Sequence, residues 1–111
     1  MLSEAEYEAR AFPELRALID ALDAVESDAF EPELASDILT IEFRDGTRYV
    51  VNSHRAARQI WMAAERSAWH FDWVAEKSQW IARKTGDELW STLESVLGKK
   101  LGSRLVLRRG G

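Results

Sequence analysis

The segment ILTIEFRDGTRYVVN constrains the fold most, because it reads as two strands joined by a tight turn. Apolar and polar side chains alternate over Ile38–Phe43, which is the pattern of a strand with one buried face. The returning strand covers Thr47–Asn52, and Asp45-Gly46 between them indicates a two-residue hairpin turn. The chain therefore builds an antiparallel sheet that turns one face towards a core.

Three further strands are predicted after this hairpin, at Gln59–Ala63, Ala68–Trp73 and Gln79–Lys84. The connector Ser53–Arg58 and the later links are too short for crossover connections, so the strands form an antiparallel meander. Before the hairpin, Glu26–Asp37 is interpreted as an acidic loop.

A helix is predicted at each end of this meander. The first begins with a capping box at Ser3–Glu6, and its apolar residues recur in steps of three and four over Tyr7–Val25. That phase continues across Pro13, which indicates one kinked helix. The last helix begins with a second predicted capping box at Thr85–Glu88 and is expected to end at Gly98.

Two terminal helices can cover only one face of such a sheet. We therefore predict an α+β protein, a two-layer α–β sandwich with the N- and C-terminal helices packed on one face of an antiparallel sheet of about five to six strands. The chain of 111 residues is expected to form a single domain, residues 1–111.

Composition excludes several classes of function. The chain has no cysteine, which excludes disulfides, thiolate metal sites and cysteine nucleophiles. Residues 1–37 carry eleven Asp/Glu against two Arg, and residues 38–111 carry thirteen Lys/Arg against eight Asp/Glu. The acidic third repels nucleic acid and anionic membranes, and it attracts cations and basic surfaces. With neither a signal core nor a membrane span in the sequence, we expect a cytoplasmic protein that binds neither nucleic acid nor membrane.

Strand alternation divides the aromatic residues of the fourth strand between two faces. Trp69, Phe71 and Trp73 share one face and are predicted to be buried beneath the helices. His70 and Asp72 then point to the open face.

The same alternation leaves a large ring on the open face in the third strand. Ile60 and Met62 are predicted core residues, so Gln59 and Trp61 point outwards. An exposed indole either anchors a partner or packs against its cross-strand neighbours, and alternation alone does not decide between these roles. Alternation does not decide on which face of the sheet Trp80 lies.

These segments resemble the frataxin family in its short bacterial type. The resemblance covers nearly the whole chain and rests on DILTIEFRDGTRYVVN, QIW at Gln59–Trp61, WHFDW at Trp69–Trp73, and the later QW and GDELW. It implies an α–β sandwich that acts in iron–sulfur cluster assembly. It also implies that the protein binds a cysteine desulfurase and a scaffold protein, and that its surface carboxylates bind ferrous or ferric iron weakly.

The resemblance carries over to two sets of residues. The metal ligands would be Asp20, Asp23, Glu26, Asp28, Glu31 and Glu33. The partner contacts would be Asn52, Gln59, Trp61 and His70, and Asp72 shares their face. The sequence departs from the family where Ser53–Ala56 lacks the usual Gln and Pro, and where Ala21, Ala24 and Val25 dilute the acidic ridge.

The sequence therefore leaves two candidate functions. The first is an iron-binding regulatory protein that docks on the desulfurase and the scaffold, and the alternative is a ferroxidase-type iron-handling or storage protein. On the residues alone the acidic run is a solvated face, and no phosphate loop, zinc spacing or Glu-x-x-His pair predicts a conventional active site. We expect the protein to be a monomer. The resemblance also implies that iron can cause it to form oligomers.

Overall fold

The computed structural model describes residues 2–109, in which two helices lie against one antiparallel sheet. The elements are α1 (Glu4–Val25), β1 (Phe30–Ala35), β2 (Ile38–Phe43), β3 (Arg48–His54), a 3-10 turn (Arg55–Ala57), β4 (Gln59–Ala64), β5 (Ser67–Val74), β6 (Gln79–Ala82), β7 (Asp87–Glu88) and α2 (Leu89–Leu101). The seven strands follow one another across the sheet in sequence order. The predicted α–β sandwich is confirmed, and neither described helix is long and apolar enough to cross a bilayer.

The start of α1 is the predicted capping box. Ser3 Oγ accepts the Glu6 backbone N–H at 3.1 Å, and Glu6 Oε1 accepts the Ser3 backbone N–H at 3.0 Å. Pro13 lies inside the helix, which continues to Val25, so the prediction of one helix is correct. Glu26 ends it in the left-handed conformation, with φ at 53°.

The sheet contains two strands that the sequence analysis missed. The predicted loop Glu26–Asp37 contains β1, which pairs with β2 from Phe30 opposite Phe43 to Ala35 opposite Ile38. Its acidic composition concealed an alternation in which every second residue faces the core. The short β7 extends the other edge of the sheet by pairing with β6.

The turn between β2 and β3 is longer than predicted. Three residues, Arg44–Gly46, lie between Phe43 and Thr47, and the Phe43 N–H donates to the Thr47 carbonyl at 2.9 Å. Gly46 has a φ of +86°, the left-handed conformation that a three-residue hairpin loop requires at this position.

The second capping-box prediction, at Thr85–Glu88, is wrong. Pairing with β6 keeps this backbone extended, so α2 begins later, and Glu88 is the N-cap that accepts the Trp90 N–H at 2.8 Å. The helix also continues through Gly98 and ends at Gly102, whose φ is +70°. Pairing with the preceding strand therefore delays the start of α2, and the helix extends past Gly98 as far as Leu101.

The core lies between the helices and the inner face of the sheet. Trp80 is fully buried, with its ring centroid 6.1 Å from Tyr7 and 5.6 Å from Trp73. Phe71 is fully buried as predicted, whereas Trp69 and Trp73 lie on the predicted face but are only half-buried. Charged side chains cover them in place of apolar ones: the Trp69 indole N–H donates to Asp87, and Arg10 lies over Trp73.

A buried carboxylate joins α1, α2 and the C-terminal tail. Glu14 is 6% exposed, and its Oε2 accepts the Trp90 indole N–H at 3.0 Å and Arg109 Nη2 at 2.8 Å. The Arg109 guanidinium also lies 4.6 Å from the centroid of the Trp90 ring. A charge at this depth needs such partners, so the tail contributes to the stability of the helical layer.

Lys100 on α2 fastens two hairpin turns to the helix. Its Nζ lies 2.8 Å from Asp45 Oδ2 and 3.5 Å from Glu65 Oε1. The Lys100 ammonium, followed by Thr47, holds the pKa of Asp45 well below its usual range. Burial, followed by the hydrogen bond to Glu65, raises the pKa of Tyr49 to about 12.

Replacing Arg109 with alanine should destabilise the protein, because Glu14 then stays buried with only the Trp90 indole as partner. We expect the free energy of unfolding in urea to fall by about 2–3 kcal/mol. Arg108→Ala is the matched control, since Arg108 is exposed and has no ion pair within residues 2–109. Equal stability of the two variants would contradict the role assigned to Glu14.

The Asp45–Lys100 ion pair should make stability depend on acid pH. Because the folded-state pKa of Asp45 is lowered, its contribution is present above the unfolded aspartate pKa, about 3.9, and is lost as the pH falls through the folded-state pKa. Asp45→Asn should therefore be less stable than the parent at neutral pH, and the difference should shrink below about pH 4. Urea unfolding at several pH values measures this, and a pH-independent difference would count against it.

Candidate functional site

The open face of the sheet brings the five predicted partner contacts together. Asn52, Trp61 and His70 lie opposite one another across β3, β4 and β5, and Gln59 lies opposite Asp72 in the next row. Directly opposed residues share a face of a sheet, so all five lie on the face that the helices leave uncovered.

Trp61 is the middle ring of a three-ring stack. The His54 centroid lies 3.7 Å from it at an interplanar angle of 13°, and the His70 centroid lies 4.1 Å away at 11°. The stack leaves Trp61 half-buried, where the sequence predicted an exposed ring. His54 was missed because β3 was ended at Asn52, although continued alternation would have placed it on this face.

A chain of polar contacts fixes the orientation of the indole. The Trp61 indole N–H donates to Gln59 Oε1 at 2.8 Å, and Gln59 Nε2 donates to Asp72 Oδ1 at 3.1 Å. Arg83 Nε lies 3.7 Å from the other Asp72 oxygen. The side chains of Trp61, Gln59, Asp72 and Arg83 are therefore linked to one another, which holds this part of the face in one arrangement.

A buried phenol anchors the site from behind. The Tyr7 hydroxyl on α1 donates to the Gln59 carbonyl at 2.7 Å and accepts the His54 backbone N–H at 2.9 Å. Tyr7 is fully buried, and this burial raises the pKa of its hydroxyl. The hydroxyl therefore stays neutral at physiological pH and holds the ends of β3 and β4 together.

Apolar side chains border the central residues on this face. Ile38 on β2 lies opposite Asn52 and is 47% exposed, and Ile81 on β6 lies opposite Asp72. An aromatic stack with apolar neighbours and a polar margin has the composition of a protein-binding surface.

The six predicted metal ligands are all exposed. Asp20 and Asp23 lie on α1, Glu26 caps it, Asp28 lies in the following loop, and Glu31 and Glu33 lie on β1. Within residues 2–109, no three or more His, Asp or Glu side chains are arranged to hold a metal ion. These carboxylates can therefore offer a hard cation only sparse ligation that water must complete.

The acidic residues of β1 lie on the open face. Glu31 lies opposite Glu42, and Glu33 lies opposite Thr40, so both carboxylates share the face of Trp61. Arg48 offsets part of this charge, since its Nη2 lies 3.3 Å from Glu42 Oε2. The six exposed carboxylates from Asp20 to Glu33 form an acidic surface, which thus continues around the edge of the sheet onto the open face that carries Trp61.

The acidic residues near the end of α1 do not stabilise the helix. Asp20 and Asp23 approach its C-terminus, and the last turn contains no basic residue. A carboxylate in the last turn, such as Asp23, lies at the negative end of the helix dipole and costs about 0.3–1 kcal/mol at low ionic strength, whereas Asp20 lies one turn further from the end. Asp20 and Asp23 therefore contribute a negative surface potential and slightly reduce the stability of α1.

Comparison with known proteins agrees with this architecture. The family model for the frataxin-like domain matches residues 1–103. The iron–sulfur cluster assembly protein CyaY of Cupriavidus metallidurans is 32% identical over 111 residues, which cover 96% of this chain and 97% of that protein. CyaY of Thioalkalivibrio sulfidiphilus is 31% identical over 94 residues, covering 84% and 88% respectively.

Solved structures show the same fold. A frataxin from Psychromonas ingrahamii matches with a TM-score of 0.86 at 18% identity, covering 97% of this chain and 100% of that one. Yeast frataxin matches with a TM-score of 0.73 at 25% identity, covering 91% and 85%. The resemblance inferred from the sequence is confirmed, and the chain belongs to the frataxin-like family.

Proposed function

We propose that this chain is an iron-binding accessory protein of iron–sulfur cluster assembly that regulates the cysteine desulfurase. In this proposal it docks on the desulfurase through its acidic surface and on the scaffold protein through the open sheet face. Its bacterial relatives are named as iron–sulfur cluster assembly proteins, which supports the pathway. The observation that carries the proposal is the ordered Trp61 face, which the helices leave uncovered.

The geometry of this face favours binding over catalysis. Gln59 is bonded to Trp61 and to Asp72, and both faces of the indole are covered by imidazoles. Because Trp61, Gln59 and Asp72 already bond to one another, they are held as a binding surface, and within residues 2–109 the face carries no free nucleophile beside them.

The acidic surface supports both weak iron binding and attraction to a basic partner. Isolated carboxylates keep much of the hydration shell of the metal ion, so they bind hard cations loosely. The same charges accelerate association with a basic surface. Catalytic oxidation of ferrous iron by substoichiometric protein would contradict this proposal and favour the ferroxidase alternative.

Reversing the charges of Asp20 and Asp23 should weaken binding to a purified bacterial cysteine desulfurase. We expect the double lysine variant to lose about tenfold in affinity at low salt, because it replaces attraction by repulsion. The parent's affinity should fall as salt rises, and the two proteins should converge as screening increases. Isothermal titration calorimetry at several ionic strengths measures both trends.

The control reverses the same number of charges elsewhere, at Glu4 and Glu76. Both residues are exposed and lie outside the acidic end of α1. This variant should keep most of the desulfurase affinity. If it binds as poorly as the Asp20/Asp23 variant, net charge alone explains the interaction and the acidic surface has no specific role.

Trp61→Ala should weaken binding to a purified bacterial iron–sulfur scaffold protein at least about tenfold, as expected of a central aromatic anchor. Biolayer interferometry with immobilised scaffold measures the change. Val106→Ala removes an apolar side chain that is 51% exposed but lies outside the sheet, so it should have little effect. Unchanged affinity of Trp61→Ala would overturn the docking assignment.

A further inference from the structure

Trp61 has few groups left to offer a partner. His54 and His70 cover the two faces of the ring at 3.7 Å and 4.1 Å, and the indole N–H is bonded to Gln59. What is left is the carbon edge of the indole. A partner that contacts Trp61 therefore meets the edge of a stack of rings, and its position depends on whatever holds the stack.

Two of the three residues that hold the ring, His54 and Gln59, are themselves fixed by one hydroxyl. Tyr7 accepts the backbone N–H of His54 at 2.9 Å and donates to the carbonyl of Gln59 at 2.7 Å. His54 and Gln59 form the last opposed pair of β3 and β4, beside the 3-10 turn that joins these strands. Strand ends fray when no hydrogen bonds hold them together. At this point the two hydrogen bonds of the Tyr7 hydroxyl connect the ends of β3 and β4.

Stacking holds the His54 ring in place. Its Nδ1 is buried and has no hydrogen-bond partner in the described part of the chain. Burying a polar atom without a partner costs free energy, so contact with the indole must offset that cost. The imidazole therefore acts here as a flat ring, and a hydrocarbon ring of similar shape should replace it.

We propose that Tyr7 and His54 are positioning residues for Trp61. Tyr7 acts through the backbone of His54 and Gln59, and His54 acts through its ring, so that the indole edge is fixed before the scaffold protein arrives. This inference rests on the proposed docking of the scaffold on the open face. A side chain that is fixed in advance loses less rotamer freedom on binding. The partner that fits this surface has an apolar notch for the edge of the Trp61 indole.

The first test uses the free protein labelled with 15N, in which the indole N–H of each tryptophan gives its own signal. The heteronuclear NOE of the Trp61 indole, assigned by its loss in Trp61→Phe, should match the backbone value in the parent. It should fall in His54→Ala and in Tyr7→Phe, and it should recover in His54→Phe. The signals of Trp69 and Trp90 are internal controls, because a general loosening of the fold would move them as well. Trp80 and Trp73 are left out, since Trp80 packs against Tyr7 and Trp73 packs against Trp80.

The second test measures affinity for the same purified scaffold protein. His54→Ala should weaken binding about three- to tenfold, the range expected for loss of one aromatic pair, and Tyr7→Phe should weaken it in the same direction. His54→Phe should bind within about twofold of the parent, because it keeps the stack.

The outcomes separate the positioning inference from the docking proposal. If Trp61→Ala does not weaken binding, docking through this face is wrong, while the NOE measurements still decide whether Tyr7 and His54 order the ring. If Trp61→Ala weakens binding but His54→Ala does not, the positioning inference alone fails. It also fails if His54→Phe binds as poorly as His54→Ala, since His54 would then contact the partner through its polar atoms.

Discussion

The structure depends on one geometric constraint, which is that two helices cover a single face of a broad antiparallel sheet. Each long strand must therefore sort its side chains by alternation, with apolar residues turned inwards and a different set turned outwards. In β4, Ile60 and Met62 enter the core while Gln59 and Trp61 form the outer surface. One register thus fixes both the hydrophobic core and the candidate docking face.

This constraint explains how much the sequence could predict. Alternation alone placed Trp61, Gln59 and His70 correctly on the open face, because each belongs to a strand whose apolar residues mark the opposite face. It failed for β1, where carboxylates outweighed the alternation, and for the start of α2, where pairing with the preceding strand β6 kept the backbone extended. The ring stack could not be predicted, because it depends on the cross-strand register and on the side-chain rotamers.

The first helix links the parts of the molecule that the sheet separates. Its inward face supplies Tyr7 to the ends of β3 and β4 and Glu14 to the contact with Arg109. Its exposed C-terminal end carries Asp20 and Asp23, which contribute charge at some cost in helix stability. One amphipathic element therefore contributes to the core, to the order of the open face and to the surface potential.

The composition of β1 also affects self-association. Within residues 2–109 no strand pairs with the outer side of β1, the first strand of the sheet, so another chain could add a strand there. Two copies meeting edge to edge would bring Glu31 and Glu33 of each chain close together, and Pro32 offers no amide hydrogen to a new ladder. The carboxylates that extend the acidic surface onto the open face therefore also protect this edge against aggregation.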